Sequence, residues 1–224
     1  MLKRIIKISI ALLLLSITIV IVILCKNYFD SQKAYSAASL GITVIKSESD
    51  KDLDGIDDYT DLCEGAQKYI VTKPKYKSEY YAGGYPNDGY GVCTDVIWHA
   101  FQDAGYDLKN MVDSDITAHL NEYTSISKPD PNIDFRRVNN LEIFFQRNAD
   151  KLTTSFKNPE DWQAGDIVIF PNHIGICSDK RNKKGIPFLI HHGNNKGARE
   201  ANDIPHLKVV GHYRWVASKN AAAK

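Results

Sequence analysis

Among the four cysteines and seven histidines of the 224-residue chain, Cys93 has the most telling surroundings. A turn-forming run, Gly83-Gly84-Tyr85-Pro86 and then Gly89-Tyr90-Gly91, stops just before it. Behind it Val96, Ile97, Ala100, Phe101 and Ala104 recur at helical spacing, and Gly105 stands where a helix would end. The pattern predicts Cys93 in the first turn of an amphipathic helix. A helix N-terminus carries roughly half a positive charge, which favours thiolate over thiol. Such a thiolate, joined by a histidine from elsewhere in the fold, is an activated nucleophile. The plainer role for Cys93 is that of a small buried apolar residue. Asp95 places a negative charge nearby and partly opposes the dipole.

The histidines fall on predicted strands. Gly165-Asp166 turns into the apolar run Ile167–Phe170, and Pro171-Asn172 leads into His173-Ile174-Gly175-Ile176-Cys177. Lys183-Lys184-Gly185 then turns the chain into Phe188–His192. Alternation puts His173, Gly175 and Cys177 on one face, and sends His191 and His192 to opposite sides. His173 and Cys177 lie roughly 13 Å apart along a strand, too far to share a zinc ion. A zinc site of Cys93, His173 and His191 is geometrically open.

A second chemistry lies upstream. Asp50-Lys51-Asp52-Leu53-Asp54-Gly55-Ile56-Asp57-Asp58-Tyr59-Thr60-Asp61 has the pattern of a twelve-residue calcium loop. Asp50, Asp52, Asp54, Asp58 and Asp61 would supply carboxylates, Ile56 its carbonyl, and Gly55 the sharp bend. Position twelve is Asp61 rather than a bidentate Glu, which implies modest affinity. A β-branched segment precedes the loop, so it resembles the single-helix calcium loops of dockerins and thrombospondin repeats more than a full EF-hand. The alternative is a solvated acidic turn capping the next helix.

These elements must be held in place. Lys3, Arg4 and Lys7 precede an unbroken apolar run from Ile8 to Cys25. The run is about long enough to span a bilayer, and the flanking charge predicts the N-terminus inside and the rest outside. It exceeds a usual signal-peptide core, no small-x-small site follows closely, and Leu24 disfavours lipoprotein-type cleavage before Cys25. The expectation is an uncleaved single-pass anchor with an extracytoplasmic domain. Of the 28 Lys and Arg, four fall within residues 1–26, leaving 24 against 27 Asp and Glu, formally −3. Such a balance gives no support for nucleic-acid binding. Three outer cysteines cannot all pair with one another, which suits a free catalytic thiol.

The expected organisation is an anchor at 1–26, a stalk without a fold of its own at 27–49, the calcium-type loop at 50–61, one domain at 62–216 and a tail at 217–224. Helices are expected over Asp61–Val71, from about Asp113 to Glu122, and over Asn140–Arg147. Arg136 and Arg137 suit a substrate carboxylate, or internal pairing with Asp130 or Asp134.

The unit Tyr80-x-x-Gly83-Gly84, turn residues, then Cys93 opening an apolar helix resembles the NlpC-type cell-wall peptidases, which are papain-like cysteine enzymes cutting peptidoglycan stem peptides. The strand order, Gly-Asp then His-x-Gly then apolar-His, is similar too. Taken with Asp130–Leu141 and Gly211-His212-Tyr213-Arg214, the chain closely resembles the bacterial domain-of-unknown-function family 1287 over about residues 50–216. The resemblance implies an α+β papain-like domain, its Cys-bearing helix packed on an antiparallel sheet. It implies Cys93 as nucleophile, His173 as general base, His191 as the orienting residue and Tyr80 beside the oxyanion, with Asn194 a fallback orienter. Val92-Cys93-Thr94-Asp95 departs from the usual Asp-Cys-Ser-Gly, and Phe135 stands where family 1287 commonly has a His. The implied function is a membrane-anchored cysteine amidase or peptidase with a peptidoglycan stem peptide as substrate and no organic cofactor. The rivals are the same fold acting on a different acyl group and a catalytically silent wall-binding module.

Overall fold

The computed structural model describes residues 2–31, 33–194 and 196–217; of the tail expected at 217–224, all but Ala217 lies outside them. Helix α1 (Leu2–Ser31) contains a 25-residue stretch, Ile6–Asp30, long and apolar enough to cross a membrane. The segment expected as a stalk divides. Its first residues complete α1, while from Tyr35 onward it lies along the domain. Tyr35 bridges Arg181, Ala37 is buried, and the Ser47 N–H donates to Asp57. Gln163 explains the course of this segment. Its amide is buried and needs partners, which the passing backbone supplies: its nitrogen donates to the Thr43 carbonyl and its oxygen accepts from the Ile45 N–H.

Among the described residues four further helices and eight strands follow. In chain order they are α2 (Asp58–Val71), β1 (Lys75–Tyr76), β2 (Tyr90–Gly91), α3 (Cys93–Asp103), α4 (Leu108–His119), α5 (Val138–Asn148), β3 (Ala149–Lys151), β4 (Ile167–Phe170), β5 (His173–Arg181), β6 (Pro187–Gly193), β7 (Gly197–Ala201) and β8 (Gly211–Trp215). Helix α4 opens earlier than Asp113. Asp107 caps it by accepting from the Asn110 N–H, and Leu108, Val112 and Ile116 form its buried stripe. Asp113 instead pairs with Lys109 one turn back.

Strands β1 and β2 form a small parallel pair. The other six make one antiparallel sheet in the order β3-β8-β4-β5-β6-β7. Alternation along the strands divides the apolar side chains between two layers. Ile167, Ile169, Ile174, Ile176 and Ile190 join the core shared with the helices. Val168, Phe170, Cys177 and Leu189 join a second cluster with Trp162, Ile186 and Ile204. Each fully buried Ile or Phe contributes about 1.5–3 kcal/mol, so both layers matter. Helix α3 runs through the first core against α2, β5 and β6. That packing brings its first residue to the beginning of β5.

The motifs Gly165-Asp166 and Gly211–Arg214 meet at the sheet. The Asp166 carboxylate takes a bidentate pair from Arg214, at 2.7 and 2.8 Å, and a 2.9 Å bond from His212. Trp162 stacks on the His212 ring. The cluster ties β8 to the turn before β4, which gives the C-terminal motif a structural role.

Candidate active site

Asp95 shapes the start of α3. Its carboxylate accepts the Val92 N–H at 2.7 Å and the Trp98 indole N–H at 2.8 Å, closing the first turn around Cys93. It also receives Arg136 in bidentate fashion, at 2.7 and 2.9 Å. Arg136 donates as well to the Glu79 carbonyl and lies over the Tyr81 ring. The partner of Arg136 is therefore Asp95, rather than Asp130 or Asp134. The pair compensates a charge that would otherwise be buried alone, since both side chains are almost fully enclosed.

Cys93 is only 6% exposed, and burial pushes its thiol up to about 11. Asp95 adds to the rise, while the backbone N–H groups of Ile174, Thr94 and Cys93 itself oppose it. The helix start thus does not produce a resting thiolate, because desolvation outweighs the dipole. The sulfur lies against the N–H of Ile174, the residue after His173.

His173 and His191 meet on the sheet, Nε2 to Nδ1 at 2.7 Å. Gly175 lets β6 approach closely: a Cβ there would come within 2.7 Å of the Ile190 carbonyl oxygen, 2.8 Å of Leu189 Cδ1 and 3.1 Å of His191 Cβ. His191 Nε2 reaches Asp203 Oδ2 at 3.0 Å, and Arg199 holds the same carboxylate. The hydrogen bond from His191, followed by Arg199, holds the Asp203 carboxyl well below its usual range, so it is ionised at neutral pH. Burial pushes His173 down to about 4 and lowers His191, so both rings are neutral there. The protons then have one consistent arrangement. An ionised carboxylate only accepts, so His191 carries its proton on Nε2 and accepts at Nδ1. His173 therefore donates from Nε2 and presents a lone pair at Nδ1. No hydrogen bond joins Cys93 to His173 among the described residues; the thiol meets the backbone N–H of Ile174, while the His173 ring lies beside Phe170 of the second cluster.

A cleft of about 550 Å³ opens over the thiol. Tyr76, Val92, Cys93 and Thr94 form one part of it, with Arg137, Asn139 and Asn172 among the other lining residues. Arg137 and Lys128 are exposed and make no close ion pair among the described residues, though the charge of Arg137 acts on Asp134 in the same cleft. Asp130 and Asp134 lie in the same wall.

Residues 63–215 match DUF1287, a domain of unknown function. The chain belongs to the DUF1287 family. It is similar to the uncharacterized protein YijF of Escherichia coli (strain K12), 37% identical over 166 residues, 69% of this chain and 80% of YijF. No solved structure matches.

The matched DUF1287 region contains Cys93, His173, His191, Asp203 and the whole cleft, while the acidic loop 50–61 precedes it. Within that region the expected residues sort as follows. Cys93 comes to the start of β5, and His173 and His191 form a hydrogen-bonded pair. Tyr80 is 58% exposed, and its hydroxyl is engaged with Asp130 and Asn132 rather than lining the cleft. Tyr76 is the tyrosine in the lining beside Cys93. His192 faces α2, where its Nδ1 meets the Tyr69 hydroxyl at 2.9 Å. Asn194 is exposed in the turn after β6. All four cysteines are free thiols. Asp203 and Arg199 are the residues that sequence reasoning missed. The signal lay in Gly193 and Gly197: a hairpin closing between them puts Arg199 opposite His191, which is the observed register.

The acidic loop brings carboxylate oxygens of Asp50, Asp52 and Asp54 within 4.8 Å of one another. Asp58 does not join them. Its oxygens accept from the Lys51 N–H and the Tyr106 hydroxyl, because its place in the first turn of α2 turns it inward. Asp61 is buried, and burial with Asp54 and Asp52 pushes its carboxyl up to about 7.

Proposed function

We propose that this protein is a membrane-anchored cysteine hydrolase of NlpC-like, papain-type design that cleaves an amide bond in peptidoglycan stem peptides. What supports the reading is that the Cys93 thiol lines an open cleft and lies against the N–H of Ile174, one residue along β5 from His173, whose ring begins the relay to His191 and Asp203.

The chemistry follows from the protonation states. With the thiol raised and the imidazole lowered, the proton moves as the bond forms rather than beforehand. Cys93 sulfur attacks the carbonyl carbon while His173 Nδ1 takes its proton. The oxyanion is met by the Cys93 backbone N–H, and Tyr76 takes the part expected of Tyr80. The C–N bond then breaks and His173 returns the proton to the leaving amine. Water, deprotonated by His173, releases the acyl group as a carboxylic acid and restores the thiol. The charge that forms on His173 is stabilised by the ionised Asp203, which acts through His191. Arg137 and Lys128 suit a substrate bearing carboxylates, as stem peptides do. A positively flanked apolar α1 favours an N-terminus inside and the domain outside, where that substrate is abundant.

The raised thiol and the missing Cys93–His173 hydrogen bond favour a second reading, a silent wall-binding module. Digestion of purified peptidoglycan by the detergent-solubilised chain separates the two. Fragment masses bearing one new amine and one new carboxylate, absent with Cys93→Ser, support hydrolysis. Wall binding by both proteins without new fragments supports the module.

A further inference from the structure

The acidic loop ahead of the family region stands apart from the chemistry at Cys93. Its geometry contains more than a cluster of surface carboxylates. Asp61, at the end of the twelve-residue pattern, is 2% exposed, yet its Oδ2 accepts no hydrogen bond. A buried carboxylate oxygen without a donor costs several kcal/mol unless a cation or a proton meets it. After burial, Asp54 and Asp52 are the acidic side chains that act most strongly on it, so Asp61 stands beside the loop, outside the three carboxylates of Asp50, Asp52 and Asp54 whose oxygens lie within 4.8 Å of one another. Hydrogen bonds elsewhere are generous: the Asp54 and Gly55 N–H groups donate to Asp50, and the Ile56 N–H donates to Asp54. The loop is therefore built, and what it lacks is positive charge.

We propose that residues 50–61 bind one calcium ion, held by Asp50, Asp52, Asp54, the Ile56 carbonyl and the buried Asp61. All of these donors are oxygens, which excludes metals that seek nitrogen or sulfur. Carboxylates of short side chains on a tight turn suit the six to eight ligands and long bonds of calcium, and suit the strict octahedron of magnesium poorly. Asp58 is not a ligand, and waters complete the shell. The loop rests on the end of α3: a Cβ on Gly105, at φ +73°, would come within 2.9 Å of Asp52 Cβ. The ion therefore pins the start of α2 and the loop to the C-terminal end of the helix that carries Cys93 at its other end. With α3 about 16 Å long, the ion is structural and takes no part in the reaction.

The test uses the full chain in detergent, stripped with a chelator, with calcium chloride as the probe. Calorimetric titration should give one site per chain, with Kd between about 10⁻⁵ and 10⁻³ M. Saturating calcium should raise Tm by roughly 5 °C, and equal magnesium by much less. Asp61→Asn should weaken binding at least tenfold. If that variant does not fold, Asp52→Asn, on the exposed loop, reads the same loss. Absence of a saturable heat at ~10 mM calcium, or unchanged affinity in both variants, overturns the proposal.

Discussion

Acidification should cost the protein stability through His173, by an amount that follows from its surroundings. In the unfolded chain this histidine protonates at 6.5; in the fold, burial with His191 and Arg199 beside it lowers that to about 4. Between the two values the unfolded chain binds the extra proton, so stability falls as pH falls, by up to about 1.4 kcal/mol per pH unit. Between about pH 7 and about pH 4.5 the loss is about 2 kcal/mol. Urea melts of the detergent-solubilised chain and of His173→Gln, followed by tryptophan fluorescence at both pH values, measure it. Subtraction removes other titrating groups, including Asp61, whose raised carboxyl acts in the opposite sense, and His99, which burial lowers to about 4. The wild type should lose about 2 kcal/mol more than the variant. Equal losses would refute a neutral buried His173. A smaller loss in the wild type would mean that His173 is an imidazolium paired with a Cys93 thiolate, since a raised value stabilises at low pH and is lost as pH rises.

Three other outcomes follow from the site. Asp203→Asn should reverse the relay, because an amide that donates to His191 Nε2 moves the protons to His191 Nδ1 and His173 Nδ1; imidazole ¹⁵N shifts would report the change, and hydrolysis should fall by roughly 10²–10⁴. Alkylation should reach Cys93 before Cys63 and Cys177: Cys93 lines a cleft with its thiol at about 11, against about 12 for Cys63 and a still buried Cys177, and peptide mapping after timed alkylation gives the order. Arg136→Met should destabilise by about 3–5 kcal/mol in urea melts, because Asp95 keeps its buried charge without a cationic partner.

Local pattern made several parts legible from the sequence. Apolar spacing behind Cys93 and the glycine at 105 delimited α3, and strand alternation separated His191 from His192. The rest depended on contacts distant in sequence. Asp95 looked like a charge acting on the thiol, and nothing local marked Arg136 as its partner across the insert. The start of α4 was hidden because Asp113 and Asp115 resemble a cap, whereas the cap is Asp107. Tyr80 stands at the motif position, yet the turn that follows carries its hydroxyl to Asp130, and the short β1–β2 pairing carries Tyr76 to the cleft instead. The stalk reading failed from Tyr35 onward because polar composition does not reveal that a buried glutamine needs the passing backbone. Asp58 and Asp61 are equivalent by pattern and differ only in which side of α2 each one faces.

The most direct test of the Cys93 mechanism is to capture its covalent intermediate. The wild-type chain is mixed with peptidoglycan fragments, quenched in acid within the first turnovers, and digested for mass spectrometry. The mechanism predicts a thioester on the peptide containing Cys93, bearing the mass of a stem-peptide acyl group, lost on treatment with hydroxylamine and absent in Cys93→Ser. Fragment release that continues undiminished in Cys93→Ser would contradict it.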